Sequence, residues 1–85
     1  MPSITVAVGS SIGLHARPAA VIADAVAAAG VPVTLAVEGA DPVDAGSALM
    51  IMTLGATKGV EVTVSSEDQP TLDKVAELVA ADLDA

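Results

Sequence analysis

The 85-residue chain contains no cysteine, phenylalanine, tyrosine or tryptophan, and only one histidine and three lysines or arginines. Without cysteine there is no disulfide framework and no thiolate chemistry, which fits a reducing cytosol. Without aromatic rings the core must be built from Val, Ile, Leu, Met and Ala, and any mechanism that stacks nucleotides has no platform. The three basic residues face 11 acidic ones, giving a formal net charge of −8. Such a chain is repelled by a nucleic-acid backbone and by an anionic membrane surface. A long hydrophobic run is missing too. The most apolar stretch, "PAAVIADAVAAAGVPV", is broken by Asp24 and Gly30 and is too short to span a bilayer. The opening "MPSITVAVGSS" has no basic residue ahead of its apolar part and does not read as a secretory signal. What is abundant is small and apolar. At 53% hydrophobic residues the chain is expected to bury a core rather than stay disordered, as a single cytoplasmic domain spanning residues 1–85.

The periodicity predicts the order β-α-β-(β)-α-β-α. Ile4, Val6 and Val8 alternate with Ser3, Thr5 and Ala7, which reads as a half-buried strand, and "GSSIG" follows as a loop. Residues 16–29 read as a helix with Ala19, Ile22, Val26 and Ala29 on one face, ended by Gly30. A second strand is expected at 33–37, a short third one around 40–43, a short helix in "SALMIMT", and a strand at 60–64 with Val60, Val62 and Val64 on one face. The last helix is expected from Pro70 to Leu83, with Leu72, Val75, Ala76, Val79 and Leu83 as its apolar stripe. Strands with one dry and one wet face argue for an α+β open-faced sandwich, an antiparallel sheet with helices packed on one side.

The sole histidine, His15, and the sole arginine, Arg17, fall together in "GLHARP" at the start of the first helix. The first N–H groups of a helix lack intrahelical acceptors and its dipole places partial positive charge there, so such an end receives anions, phosphate especially. Pro18 suits the first turn because the N–H it lacks had no partner in the helix, and Gly13 allows a tight backbone turn beside the imidazole. A phosphoryl group on a ring nitrogen of His15 would meet those N–H groups and the guanidinium of Arg17, whose planar fork can hold two phosphate oxygens. Taken singly, His15 reads as a helix cap or surface residue and Arg17 as a solvated charge. Their convergence on an anion-binding element of an acidic chain favours a phosphate or phosphohistidine site.

"GLHARPAA" resembles the active-site motif of the HPr family, the phosphocarriers of the phosphoenolpyruvate-dependent sugar phosphotransferase system. "SALMIMTLGATKGVEVTV" is similar to that family's segment from the regulatory serine through the second helix into the last strand. Length and element order match over essentially the whole chain, and the composition looks closest to actinobacterial members. The resemblance implies a four-stranded antiparallel sheet covered by three helices, and a monomeric carrier without metal or organic cofactor. It implies that His15 accepts a phosphoryl group on Nδ1 from phosphorylated enzyme I and passes it to sugar-specific IIA proteins or domains. Arg17 is then the neutralising partner, and Gly13, Ala16 and Arg17 form the phosphate-binding backbone. Ala20, Ala48, Leu49 and Met52 match the docking surface, with Ile51 expected to face the core. Ser47 matches the position that HPr kinase/phosphorylase modifies in some Gram-positive members. Its flanks differ from that branch's pattern, and a helix N-cap is the leading reading. The lysines of well-known members are replaced here by Asp24, Ala27 and Met50, which predicts docking through Arg17 and apolar contact with weaker long-range steering.

Other readings fare less well. An acyl or peptidyl carrier with its arm on Ser47 is all-helical and has aspartate directly before the serine, whereas Gly46 precedes Ser47 here. Regulatory relatives of HPr lose the histidine. A carrier serving a dihydroxyacetone kinase or a nitrogen-regulatory branch stays open. "GSSIG" is not followed by the Gly-Lys-Ser/Thr of a phosphate-binding loop. The acids lack ligand spacing for a metal, and no second imidazole or thiol is present to form a nucleophile–base pair.

Overall fold

The computed structural model describes residues 2–10 and 13–81. Its elements are β1 (Ser3–Ala7), α1 (Ala16–Ala29), β2 (Val33–Val37), β3 (Val43–Asp44), α2 (Ala48–Met52), β4 (Glu61–Ser66) and α3 (Gln69–Ala80). The four strands form one antiparallel sheet in the order β1-β4-β2-β3, so the last strand inserts between the first two. The expected open-faced sandwich is therefore the fold.

Register decides which side is dry. Ile4 pairs with Val64, Val64 with Leu35, and Leu35 with Val43; the next such row is Val6, Val62 and Val37. Because side chains alternate along a strand, these rows all face the helices. The intervening rows, Thr5–Thr63–Ala36 and Ser3–Ser65–Thr34, face away, with the hydroxyls of Thr5 and Thr63 hydrogen-bonded at 3.0 Å. On the dry side Ile22 of α1, Ile51 of α2, and Leu72, Val75 and Val79 of α3 close over Val33, Leu35, Val62 and Val64, all at 1% exposure or less. With no aromatic side chain to fill space, the helices come down on alanines: Ala19, Ala23 and Ala76 are buried among them.

Several element boundaries move from the sequence reading, each for a local reason. β3 begins at Val43, not residue 40, because Gly39 (φ 82°) turns the chain and Pro42 has no N–H to give a ladder. β4 runs to Ser66. Buried Ser66 donates from Oγ to the Pro32 carbonyl (3.0 Å) and accepts from the Asp68 N–H (3.2 Å), so a residue that looks like a turn is satisfied inside the sheet. α1 ends as expected, with Gly30 in the left-handed region (φ 70°) and its N–H on the Val26 carbonyl. Ala29, however, is exposed, and the apolar stripe stops at Val26. α3 starts one residue early because Asp68 caps it, accepting from the Thr71 N–H (3.1 Å) and hydroxyl (2.5 Å), with Pro70 in the first turn. It also stops early: Ala81 is extended, and Leu83 lies outside the described residues.

Two seams fix the chain on either side of the loop between β1 and α1. Before it, the Gly9 N–H donates to the Val79 carbonyl at the end of α3 (3.1 Å), and Ser10 Oγ donates to the Ala81 carbonyl (3.4 Å). A Cβ at Gly9 would sit 1.9 Å from the Ala80 carbonyl oxygen, so only glycine permits this approach. After it, the Leu14 N–H donates to the Ala56 carbonyl (2.9 Å), and Gly13 holds φ 82° with its Cα against Ala56 and Thr57.

Leu35→Ala, at the centre of the dry face, is expected to lower unfolding free energy by about 2–5 kcal/mol in urea titration. Gly13→Ala places a Cβ 2.5 Å from the Ala56 carbonyl oxygen at a strained φ. It is expected to cost about 1–3 kcal/mol and to speed hydrogen exchange of the Leu14 amide relative to amides of β4.

Candidate functional site

His15 is the residue just before α1. Its backbone is extended (φ −84°, ψ −166°), and its carbonyl accepts the first intrahelical bond, from the Ala19 N–H at 3.0 Å. Pro18 has no N–H, so Ala16 and Arg17 own the two amide groups that the first turn leaves without an intrahelical acceptor. A cap of the Ser or Asp type would take them with its side chain. The His15 side chain makes no cap hydrogen bond to the helix, and the cap-only reading of His15 is thereby disfavoured.

Burial alternates sharply here. Gly13 and Leu14 are buried, His15 is half-buried, Ala16 and Arg17 are exposed, and Pro18 and Ala19 return to the core. Leu14, at 5% exposure, anchors the backbone from one side and Pro18 with Ala19 from the other. The imidazole therefore stands between two fixed points with the guanidinium-bearing residue on the outer side.

α2 supplies the adjoining surface. Ser47 caps it as expected, its Oγ accepting from the Met50 N–H at 3.3 Å. Ile51 is fully buried, which leaves the other face of a five-residue helix outside: Leu49 is 69% exposed, Met50 41% and Met52 37%. Ala48 is half-buried, and Ala20 and Val21 on α1 are exposed. The helix ends where the Thr53 hydroxyl donates to the Met50 carbonyl and Gly55 turns through φ 64°.

Between the two helices lies an open depression of about 330 Å³, lined by Leu14, His15, Met52, Gly55, Ala56 and Thr57. The fold thus brings His15 and Met52 together, with the stretch 55–57 between them. Those last three residues were not anticipated as part of the site. The two glycines of "LGATKG" signal a turn, but only the Leu14–Ala56 bond places that turn beside the histidine. A second depression, about 290 Å³, lies on the open face of the sheet among Thr5, Val37, Glu38, Glu61 and Thr63. It holds no imidazole or other strong nucleophile, and no group of His, Cys, Asp or Glu among the described residues could hold a metal ion. No described helix is long and apolar enough to cross a membrane.

The chain matches the family model described as the PTS HPr component phosphorylation site over residues 2–81. It is 43% identical over 80 residues to the phosphocarrier protein HPr of Streptomyces coelicolor, covering 91% of this chain and 86% of that protein. Among solved structures, the phosphocarrier protein HPr of Bacillus anthracis superposes with a TM-score of 0.84 at 27% identity, over 92% of this chain and 95% of that one. HPr-C-His of Thermoanaerobacter tengcongensis superposes with a TM-score of 0.77, also at 27% identity, over 94% and 96%. Fold, element order and a sequence match over residues 2–81 agree, and the chain belongs to the HPr family.

Proposed function

We propose that His15 is the side chain that carries the phosphoryl group, on Nδ1 as the family resemblance implies, and that Arg17 and the amides of Ala16 and Arg17 hold its oxygens. An HPr protein is a phosphoryl carrier of the sugar phosphotransferase system, charged by enzyme I and discharged to IIA proteins. It is a stoichiometric relay member and not an enzyme. The observation that carries the residue assignment is the uncapped start of α1, where the imidazole leaves the Ala16 and Arg17 amides to another acceptor.

The chemistry asks little else of the protein. The lone pair of one ring nitrogen attacks phosphorus as the bond from phosphorus to its donor breaks, and the other ring nitrogen keeps its proton, so no general base is required. Charge gathers on the three phosphoryl oxygens. There the partial positive charge of a 14-residue helix and the fork of Arg17 stabilise it. Discharge to a IIA protein is the same displacement with the imidazole leaving. Gly13 contributes by holding its seam with Ala56 and Thr57, which sets the ring over the depression.

Ala20, Ala48, Leu49 and Met52 serve in this reading as the docking surface for enzyme I and IIA partners, supported by the exposure of Ala20 on α1 and of Leu49 and Met52 on α2, and by Met52 sharing the depression with His15. Ser47 acts first as the α2 cap. A regulatory kinase is the partner that would put its hydroxyl to a second use. The carrier works as a cytoplasmic monomer, with no cofactor in the relay.

Incubation with phosphoenolpyruvate and enzyme I should add a single acid-labile phosphoryl group, seen by intact mass and phosphorus NMR, and His15→Ala should abolish it. Persistence of the adduct in His15→Ala would overturn the assignment. Arg17→Ala, which removes a charge-assisted phosphate contact worth roughly 1.5–3 kcal/mol, should slow transfer from enzyme I by about 10- to 100-fold without unfolding the protein. Rapid-quench kinetics beside a thermal melt would check both halves of that expectation.

A further inference from the structure

Resting on the phosphocarrier reading, we propose that Met52 is an oxidation site through which a hydroperoxide slows the carrier. Its thioether becomes a sulfoxide beside His15, and a dithiol-dependent sulfoxide reductase restores it.

The chain has no cysteine, so its three methionines hold all of its sulfur, the element that peroxides attack first. Met1 lies outside the described residues. The other two stand on α2 and are exposed, whereas Ile51 between them is fully buried. A thioether inside a core is shielded from a dissolved peroxide; these two are not.

Position separates Met50 from Met52. Met50 serves α2 through its backbone, its N–H donating to Ser47 Oγ (3.3 Å) and its carbonyl accepting from the Thr53 hydroxyl. It is not among the residues that line the His15 depression. Met52 is, and apart from His15 and Thr57 it shares that lining with Leu14, Gly55 and Ala56, none of which carries a polar side-chain atom. Met52 is therefore the one lining residue with a sulfur, and a single oxygen added there turns an apolar wall polar.

The chemistry balances with a hydroperoxide as oxidant. The sulfur lone pair takes the outer peroxide oxygen, and an S–O bond forms as the O–O bond breaks. Sulfur gives up two electrons. The proton of the transferred hydroxyl passes to the departing oxygen, which leaves as water or an alcohol. Reduction by the dithiol of a sulfoxide reductase returns the thioether and water and leaves a disulfide on the reductase.

The sulfoxide oxygen accepts hydrogen bonds and donates none. Covering it with an apolar partner surface leaves a polar atom unsatisfied, which is unfavourable. Its negative end also stands in the depression that holds His15, where it repels the oxygens of a phosphoryl group. The fold is left alone, because α2 is anchored by buried Ile51, the Ser47 cap and the Gly55 turn rather than by Met52.

Wild-type, Met50→Leu and Met52→Leu chains are each treated with hydrogen peroxide and mapped by peptide mass. Each is then compared with its own untreated sample for transfer from phosphorylated enzyme I at sub-saturating concentration. Oxidised wild type and Met50→Leu should transfer roughly 5- to 20-fold more slowly, and Met52→Leu should stay within about twofold of its untreated rate. The two epimer-specific sulfoxide reductases with a dithiol should return the wild-type rate. His15 is the only imidazole, so its ring C–H signals in NMR give a readout that needs no enzyme I. They should shift on oxidation of wild type and Met50→Leu and hold still in Met52→Leu, while the thermal melt of the wild type stays cooperative. A deficit that survives in Met52→Leu, an oxidised wild type that transfers at full rate, or loss of the cooperative melt would overturn the proposal. An untreated wild type that accepts no phosphoryl group would instead remove the carrier reading, and the ring signals would still decide whether the sulfoxide reaches His15.

Discussion

The site depends on one backbone contact between distant parts of the chain: the Leu14 amide on the Ala56 carbonyl, with Gly13 pressed against Thr57. A histidine at a helix start is common and inert. Here it is held against the stretch that leaves α2, so that His15 shares one depression with Met52 and residues 55–57, and Arg17 is exposed two residues further on. The contact exists because residue 13 has no side chain and tolerates φ 82°. The parallel seam at Gly9 ties the other end of the loop to the close of α3. Elements on both sides therefore set the backbone geometry at His15, whose side chain makes no cap hydrogen bond to the helix it precedes.

A core without aromatic rings shapes how those elements meet. Val and Ile suit the pleated dry face, and their branched side chains lose little freedom in strands. Alanines at 19, 23 and 76 allow the helices to lie close over that face, and the helix-favouring bias of the same residue explains how α1 runs its full length from an ordinary sequence. The hydroxyl rows on the opposite face, Thr5–Thr63 among them, keep the uncovered side of the sheet polar, with Glu61 on the same side.

Much of this was legible in the sequence. Alternation located β1, β2 and β4, and the stripe Ala19–Ile22–Val26 located α1, because burial on one face leaves a period that needs no tertiary information. His15, Arg17 and the start of α1 could be read together because they are neighbours along the chain. Ile51 inward and Leu49 and Met52 outward came from the family resemblance, since the periodicity of so short a segment decides neither. What escaped were features settled by distant partners. The strand expected at 60–64 runs on to Ser66, whose hydroxyl is satisfied by the Pro32 carbonyl, and the stretch 55–57 joined the site only through Leu14. The end of α3 fell short of Leu83, as periodicity registers where apolar residues recur and not where the backbone leaves the helix.

The five residues of α2 fall well below the length at which a helix sustains itself in water. Its order is borrowed from one buried isoleucine, one serine cap and a glycine turn, so it belongs to the part of the molecule that opens at small free-energy cost while the sheet stays closed. The side chains it offers outward include two unbranched, polarisable thioethers, the most adaptable apolar groups in the protein alphabet. A relay member has to meet both a donor and an acceptor. A short helix bearing soft side chains, set beside a histidine held by the sheet and its seams, gives an apolar surface that can re-form while the backbone at His15 keeps its place.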